Sequence, residues 1–382
     1  MIKEIELVLL PEHAADENFL RDAAIKFLNV PSERISKIQL IKRSIDARGR
    51  KVVYRVKVNV YLDEDPSPEI FAVNYQNVSD KRPVLIIGAG PAGLFAAVRC
   101  IELGLKPIII ERGKDVKQRR RDLALINKEG IINPDSNYCH GEGGAGTYSD
   151  GKLYTRSNKR GDIQYVLKAL VAHGATEDIL VDARPHIGTN KLPGIITSIR
   201  ESILNAGGQV HFDCKVTDFI TSGKKLTGVI CGDKSFKADS VILATGHSAR
   251  DIYYLLRKHN IKLEAKPFAL GVRIEHPQLI IDQAQYHCEV RSEHLPPSYY
   301  SLVDQVENRG VFSFCMCPGG IIAPCSTEQE EIVVNGWSPS KRNNPFANSG
   351  TVVQINLEDV SGSPDDPLRM LEFQADIEKA AY

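Results

Sequence analysis

The 382 residues carry 48 Lys plus Arg against 48 Asp plus Glu, with 42% hydrophobic and 25% charged residues. Such a length predicts two or three domains, each with its own core, and a net charge of zero removes any general electrostatic pull toward nucleic acid or anionic membranes. The N-terminal "MIKEIELVLLPEH" is interrupted by Glu6 and is no export signal, no stretch reaches the ~18 apolar residues of a membrane span, and eight cysteines in this setting read as reduced thiols of a cytoplasmic protein.

In chain order, "IELVLL" reads as a strand. "ADENFLRDAAIKFLN" reads as a helix with Asp16 as N-cap and Phe19, Ala23 and Phe27 on one face. "VVYRVKVNVYL" alternates, with Val52, Tyr54, Val56, Val58 and Val60 on one side. It predicts a half-buried strand antiparallel to residues 38–45 across "DARGR". From Lys37 to Lys57 there are eight basic residues and one acid, Asp46. That stretch is either a contact surface for RNA or an acidic protein, or the solvated face of a hairpin. It lacks aromatic residues interleaved as a stacking platform, and balanced overall charge argues against nucleic acid as a partner. The acidic, Pro-rich "DEDPSPE" at 63–69 reads as the exit from this unit.

From Val84 the texture becomes strand, glycine turn, helix, strand. In "PVLIIGAGPAGLFAAVRCIELGLKPIIIERG" an apolar strand runs into Gly88, which allows a tight turn. Gly90 leaves room for a pyrophosphate and Gly93 permits close helix–strand packing. The helix opening at Pro91 and Ala92 directs its N-terminus at the phosphates. A second strand ends in Glu111, eighteen residues after Gly93, where a carboxylate suits the ribose hydroxyls and repels a 2′-phosphate. Arg112 follows directly. Helices are expected near 162–172 and 191–206, short strands from 209 to 243, and strand-rich sequence to about 356. "LRMLEFQADIEKAAY" predicts an amphipathic helix with Leu368, Leu371 and Ala375 on one side.

A second match to GxGxxG lies at Gly141, Gly143 and Gly146, but polar sequence precedes it and no helical stripe follows. Five glycines between 141 and 151 instead suggest backbone lying flat against something large. That reading places Gly143, Gly144, Ala145, Gly146 and Gly151 against a flavin ring, with Ser149 as a donor and Lys152 as a fixed cation. The other reading is a loop packed on itself.

"VILATGHS" at 241–248 resembles the ATG segment of FAD domains in glutathione-reductase-like flavoproteins, and "GGQVHFDCKVTDF" resembles their adenine clamp. The resemblance implies FAD rather than NAD, with Thr245 and Gly246 near the cofactor and Val216 beside the adenine. "HGEGGAGTYSDGKL" further resembles "FGEGGAGTFSDGKL" of the family called uncharacterised FAD-dependent dehydrogenases, or NAD(FAD)-utilising dehydrogenases. "RSIDARG", "ERGKDVKQRRRD", "RPHIGTNKL", "CMCPGG" and "NPFANSG" resemble it too, so the likeness covers nearly the whole chain. Asn190 stands where that pattern has Asp. The family pattern also continues past Tyr382 into a late glycine segment, which implies a chain truncated at its C-terminus.

The resulting expectation is α/β: a small α+β domain (1–80), a Rossmann-like FAD-binding domain (81–255) and an inserted strand-rich substrate domain (256–382). The expected function is an FAD-dependent oxidoreductase moving a hydride through flavin N5 to or from a small molecule, with NAD(P)H as a transient donor. The alternatives are a non-catalytic nucleotide- or protein-binding module and a flavin-dependent RNA-modifying enzyme. Candidate catalytic groups are Lys152, His186 and Cys317. His186 alternatively caps a helix, and Cys315, Cys317 and Cys325 alternatively serve as small apolar residues. Arg119 and Asp122 either reach the cofactor phosphates and ribityl chain or sit on a solvated helix face. Arg342 is the charge suited to an anionic group in "KRNNPFANSG". No metal site is expected.

Overall fold

The computed structural model describes residues 1–66, 73, 75–155 and 161–382. Strands β1 (Ile2–Leu9), β2 (Ile35–Asp46) and β3 (Val53–Leu62) form an antiparallel sheet in the order β1-β3-β2. Because β3 is central, its alternation buries Val56, Val58 and Val60 completely. Helix α1 (Glu17–Leu28) covers that face, capped by Asp16, whose carboxylate accepts from the Asn18 and Phe19 amides. Leu20 and Ala24 form its buried stripe, whereas Phe27 is 61% exposed and Phe19 stacks on His13 at 3.7 Å. The expected Phe19–Ala23–Phe27 face is therefore corrected by about one residue's rotation; small Ala24 lets the helix approach the sheet. Of the basic hairpin, Arg43 pairs with Asp178 and Asp182, Arg48 and Arg55 with Asp46, and Lys57 with Glu4. The exit expected at 63–69 falls partly outside the described residues.

The second unit is a parallel sheet. β4 (Pro83–Ile87) leads through α2 (Pro91–Glu102) to β5 (Lys106–Ile110). α3 (Val116–Glu129), α4 (Ile163–Ala172), α5 (Asp178–Val181) and α6 (Leu192–Asn205) then precede β6 (Gln209–His211). An antiparallel trio, β7 (Asp218–Ser222), β8 (Lys225–Cys231) and β9 (Lys234–Lys237), intervenes before β10 (Val241–Leu243) returns to the parallel sheet. The parallel order is β10-β4-β5-β6. The chain leaves β4 toward β5 and comes back on its other side. The carboxyl ends of β4 and β10 thus border a topological switch point, the place where open α/β sheets take ligands. Leu85, Ile86 and Ile109 are buried on both sides of this sheet, as continuous apolar parallel strands require.

After α7 (Arg250–Lys258) the chain becomes strand-rich. β11 (Phe268–Pro277), α8 (Gln278–Tyr286), β12 (Val303–Val306), β13 (Arg309–Cys317), β14 (Ile321–Pro324), β15 (Val334–Trp337) and β16 (Phe346–Ile355) follow. Four of these form an antiparallel sheet in the order β11-β16-β13-β12, and β14 pairs with β15. The register of β13 on β16 breaks between Phe314 and Cys317, leaving a bulge at Cys315 and Met316. Helix α9 (Arg369–Ala380) buries Met370 and Glu378, with Leu371 and Ala375 only half-buried, because Glu378 is drawn inward by Arg250. Among the described residues no helix is long and apolar enough to cross a membrane.

Candidate nucleotide cleft and a neighbouring thiol cluster

A cleft of ≈ 560 Å³ opens at the switch point. Gly88, Gly90, Pro91, Ala92, Glu111, Arg112, Val216, Thr245 and Gly246 line it, as do Gly144, Ala145 and Gly146. Helix α2 begins here with Gly90 as N-cap and no side-chain cap, so its first amides face the cleft uncapped. Gly88 has φ +104°, and a Cβ there would lie 2.5 Å from the Ala244 carbonyl oxygen. Gly93 sits behind the cleft rather than on its wall. A Cβ on it would meet the Gly88 oxygen at 1.9 Å, so its role is helix–strand packing. A diphosphate fits such a cradle by chemistry and by shape.

Glu111 is 5% exposed and binds three backbone amides: Ala89 at 2.7 Å, Gly113 at 2.9 Å and Gly141 at 3.0 Å. The acid expected to grip a ribose thus also ties the first glycine loop to the second. The loops touch directly as well. The Gly143 amide donates to the Ala89 carbonyl at 2.8 Å, and a Cβ on Gly144 would stand 3.1 Å from Gly90 Cα. Arg112 is held by Asp251 at 2.7 Å.

Arg119 and Asp122 require correction. Neither reaches the cleft, and neither belongs to a solvated face. Arg119 is 0% exposed, and its guanidinium donates to the carbonyls of Asn137, Tyr138, Glu142 and Gly144 and to the Thr147 hydroxyl. It is the internal frame of the second loop. Asp122 is buried by Lys114 at 2.8 Å and the Ser136 hydroxyl at 2.6 Å. Gly143 and Gly151 also turn inward: a Cβ on Gly143 would collide with Thr147 and Ile196, and one on Gly151 with Leu192. Ser149 spends its hydroxyl locally, donating to the Gly146 carbonyl and accepting from the Gly151 amide. None of these, nor Lys152, lines the cleft.

Lys152 instead belongs to a second constellation. Its ammonium stands 2.8 Å from Asp150 Oδ2, 3.2 Å from Cys317 Sγ and 3.6 Å from Cys315 Sγ. Asp150, with a side chain 3% exposed, also accepts from Arg342 at 3.0 Å, and His186 Nε2 lies 3.5 Å from its other oxygen. Lys152 and His186 thus meet at one carboxylate, and Cys317 joins them through the Lys152 ammonium. Asp150 is the member that sequence reasoning missed; its position two residues before Lys152 in a glycine loop carried no signal of its own. His186 is not a helix cap, since α6 starts at Leu192; it bridges to Lys152 in a two-residue β contact. Cys325 lies elsewhere, packed with Leu123, Ile126 and Tyr138.

Burial works against the charge on Asp150, but His186, Arg342 and Lys152 outweigh it and hold its pKa far below the usual carboxylate range. Burial likewise opposes the Lys152 ammonium, and Asp150 with the two thiols outweighs it, raising its pKa. Burial lowers the pKa of His186 despite Asp150, leaving the imidazole neutral at pH 7. The Asp150 carboxylate therefore contributes stability that is complete above its unfolded pKa of about 3.9 and fades as pH falls toward the lower folded value. Asp150→Asn is expected to melt below wild type at pH 7, and the gap is expected to narrow below about pH 4. Melting curves across that range check it; a gap that widens in acid contradicts the assignment.

Comparison with known proteins gives three family matches: an FAD-binding domain over residues 83–119, an FAD-dependent protein C-terminal domain over 267–382, and a domain of unknown function over 1–61. An uncharacterized protein of Clostridium beijerinckii is 39% identical over 385 aligned positions, covering 96% of this chain and 72% of that protein. The mitochondrial dihydrolipoyl dehydrogenase of Caenorhabditis elegans is 29% identical over 72 residues, which is 19% of this chain and 14% of that one. Among solved structures, CtdE in complex with FAD aligns over 78% of this chain and 66% of its own at 16% identity, with a TM-score of 0.31.

Proposed function

The chain belongs to one family with the Clostridium beijerinckii protein, a family of FAD-dependent proteins, and from that premise we propose that it is a dehydrogenase that moves a hydride between flavin N5 and a small-molecule substrate. FAD is its cofactor and its class is FAD-dependent oxidoreductase. The observation that carries the reading is the uncapped N-terminus of α2 opening at Gly90 into a cleft whose base is Glu111. When bound, FAD supplies the redox chemistry, and the protein supplies binding and orientation.

In this reading the α2 amides and Gly90 hold the diphosphate, and the free lone pair of Glu111 takes a ribose hydroxyl. Val216, Thr245 and Gly246 line the path of the remaining nucleotide. A second cleft of ≈ 500 Å³ shares Cys139, Ala145, His247, Ser248 and Tyr253 with the first and is lined farther out by Arg273, Phe314 and Trp337. That cleft is where we place the small-molecule substrate, and NADH and NADPH are the first donors to offer there.

The test is direct. Protein purified with excess FAD is expected to be yellow and to hold about one FAD per chain after gel filtration. It is then bleached by anaerobic photoreduction and screened for compounds that restore the colour. A protein that stays colourless and shows no FAD affinity defeats the reading, leaving a non-catalytic binding module of this fold.

A further inference from the structure

The second constellation faces a separate small pocket of ≈ 240 Å³. Lys152, Arg184, Arg342 and Cys315 line it together with Tyr154 and Tyr299. Its volume is below the ~300–1,000 Å³ of drug-sized sites, so it suits a small molecule. Three cations meet there with one nearby carboxylate, since Lys152 and Arg342 share Asp150. Arg184 is exposed and has no carboxylate partner among the described residues. Its guanidinium lies 3.7 Å from the Tyr299 ring centre and 5.1 Å from that of Tyr154, which fixes a free cation in place.

Cys315 is presented to this pocket by an unusual backbone. It sits in the β13 bulge at φ +49°, a left-handed conformation that a side-chain-bearing residue adopts only under constraint. The bulge is what allows both Cys315 and Cys317 to reach one ammonium, at 3.6 and 3.2 Å. All cysteines of the chain are free thiols, and Cys317 is fully buried while Cys315 is only partly so. Of the pair, Cys315 is the more exposed residue and the one that lines the pocket.

We infer that this pocket binds a small organic anion bearing an electrophilic carbon, and that Cys315 is the nucleophile that attacks it. The anionic group pairs with Arg184 and Arg342. The Cys315 sulfur forms the new C–S bond, the leaving group departs with its bonding pair, and the thiol proton has gone to solvent. The groups facing Cys315 accord with this. A hydrogen bond from Cys317 is the chief cause lowering its pKa, followed by Lys152 and Arg273, against burial and the Asp150 charge. The inference goes beyond the flavin reading and stands without it.

The probe is iodoacetate, compared with neutral iodoacetamide, on the full chain with the modified cysteine identified by peptide mass spectrometry. Cys315 is expected to react first among the eight cysteines, to keep reacting below pH 7, and to prefer iodoacetate by about tenfold. Arg184→Gln, at an exposed position, should slow iodoacetate more than iodoacetamide and so erase most of that preference. Lys152→Met should slow both reagents. Labelling of Cys315 no faster than of partly exposed Cys288, or no preference for the anionic reagent, overturns the inference.

Discussion

Gly93→Ala is expected to weaken FAD binding and to destabilise the fold. The added methyl would sit 1.9 Å from the Gly88 carbonyl oxygen, 3.0 Å from its carbon and 3.4 Å from Ile86 Cγ2. Gly88 cannot retreat, because its own Cα faces the Ala244 carbonyl and its amide is bound to Ile110 at 2.8 Å. The strain must therefore be relieved by lifting the start of α2 off β4, which moves the amides to which we assign the diphosphate. Overpacking of this kind costs about 1–3 kcal/mol or more in the free protein. Loss of the anion cradle should weaken FAD by roughly 100-fold, about 2.7 kcal/mol. Urea denaturation with and without FAD separates the two effects, and wild-type affinity in this variant sinks the cleft assignment.

Arg119→Met should cost about 3–5 kcal/mol without touching the cleft wall, because four backbone carbonyls lose their donor in a place water does not reach. The carbonyls are those of Asn137, Tyr138, Glu142 and Gly144. Arg119→Lys should recover only part of this, since one ammonium cannot reproduce a planar fork spread over that many acceptors. FAD affinity should fall as well, because Gly144 packs on Gly90. A Met variant within about 1 kcal/mol of wild type would show that the loop is held by other means.

The first glycine loop was legible because every part of it is local: strand, turn, helix and acid follow one another within thirty residues, and each has its own physical signature. The frame of the second loop was not. Arg119 binds main-chain oxygens eighteen to twenty-five residues away, and a carbonyl has no identity in a sequence. Lys152 and Cys317 are 165 residues apart, so their meeting depends on the second glycine loop packing against the end of β13, which no periodicity announces. Cys315 and Cys317 fall in sequence that reads only as strand-rich, because the bulge that turns them depends on β16. In α1 two adjacent faces both fit the helical repeat. The large Phe19 and Phe27 drew attention to one, while the close approach allowed by Ala24 decided for the other.

Glu111 joins amides of Ala89, Gly113 and Gly141, and β10 must return beside β4 before the turn at Gly88 has its neighbour. The cofactor site is thus a knot of distant segments, closed only after residues 88 to 244 have all found their places. Closures of that span are slow and reward the chain late. A nascent chain should stay open to proteases through this whole interval, then become resistant in one step, and added FAD should deepen that resistance by binding only the closed state.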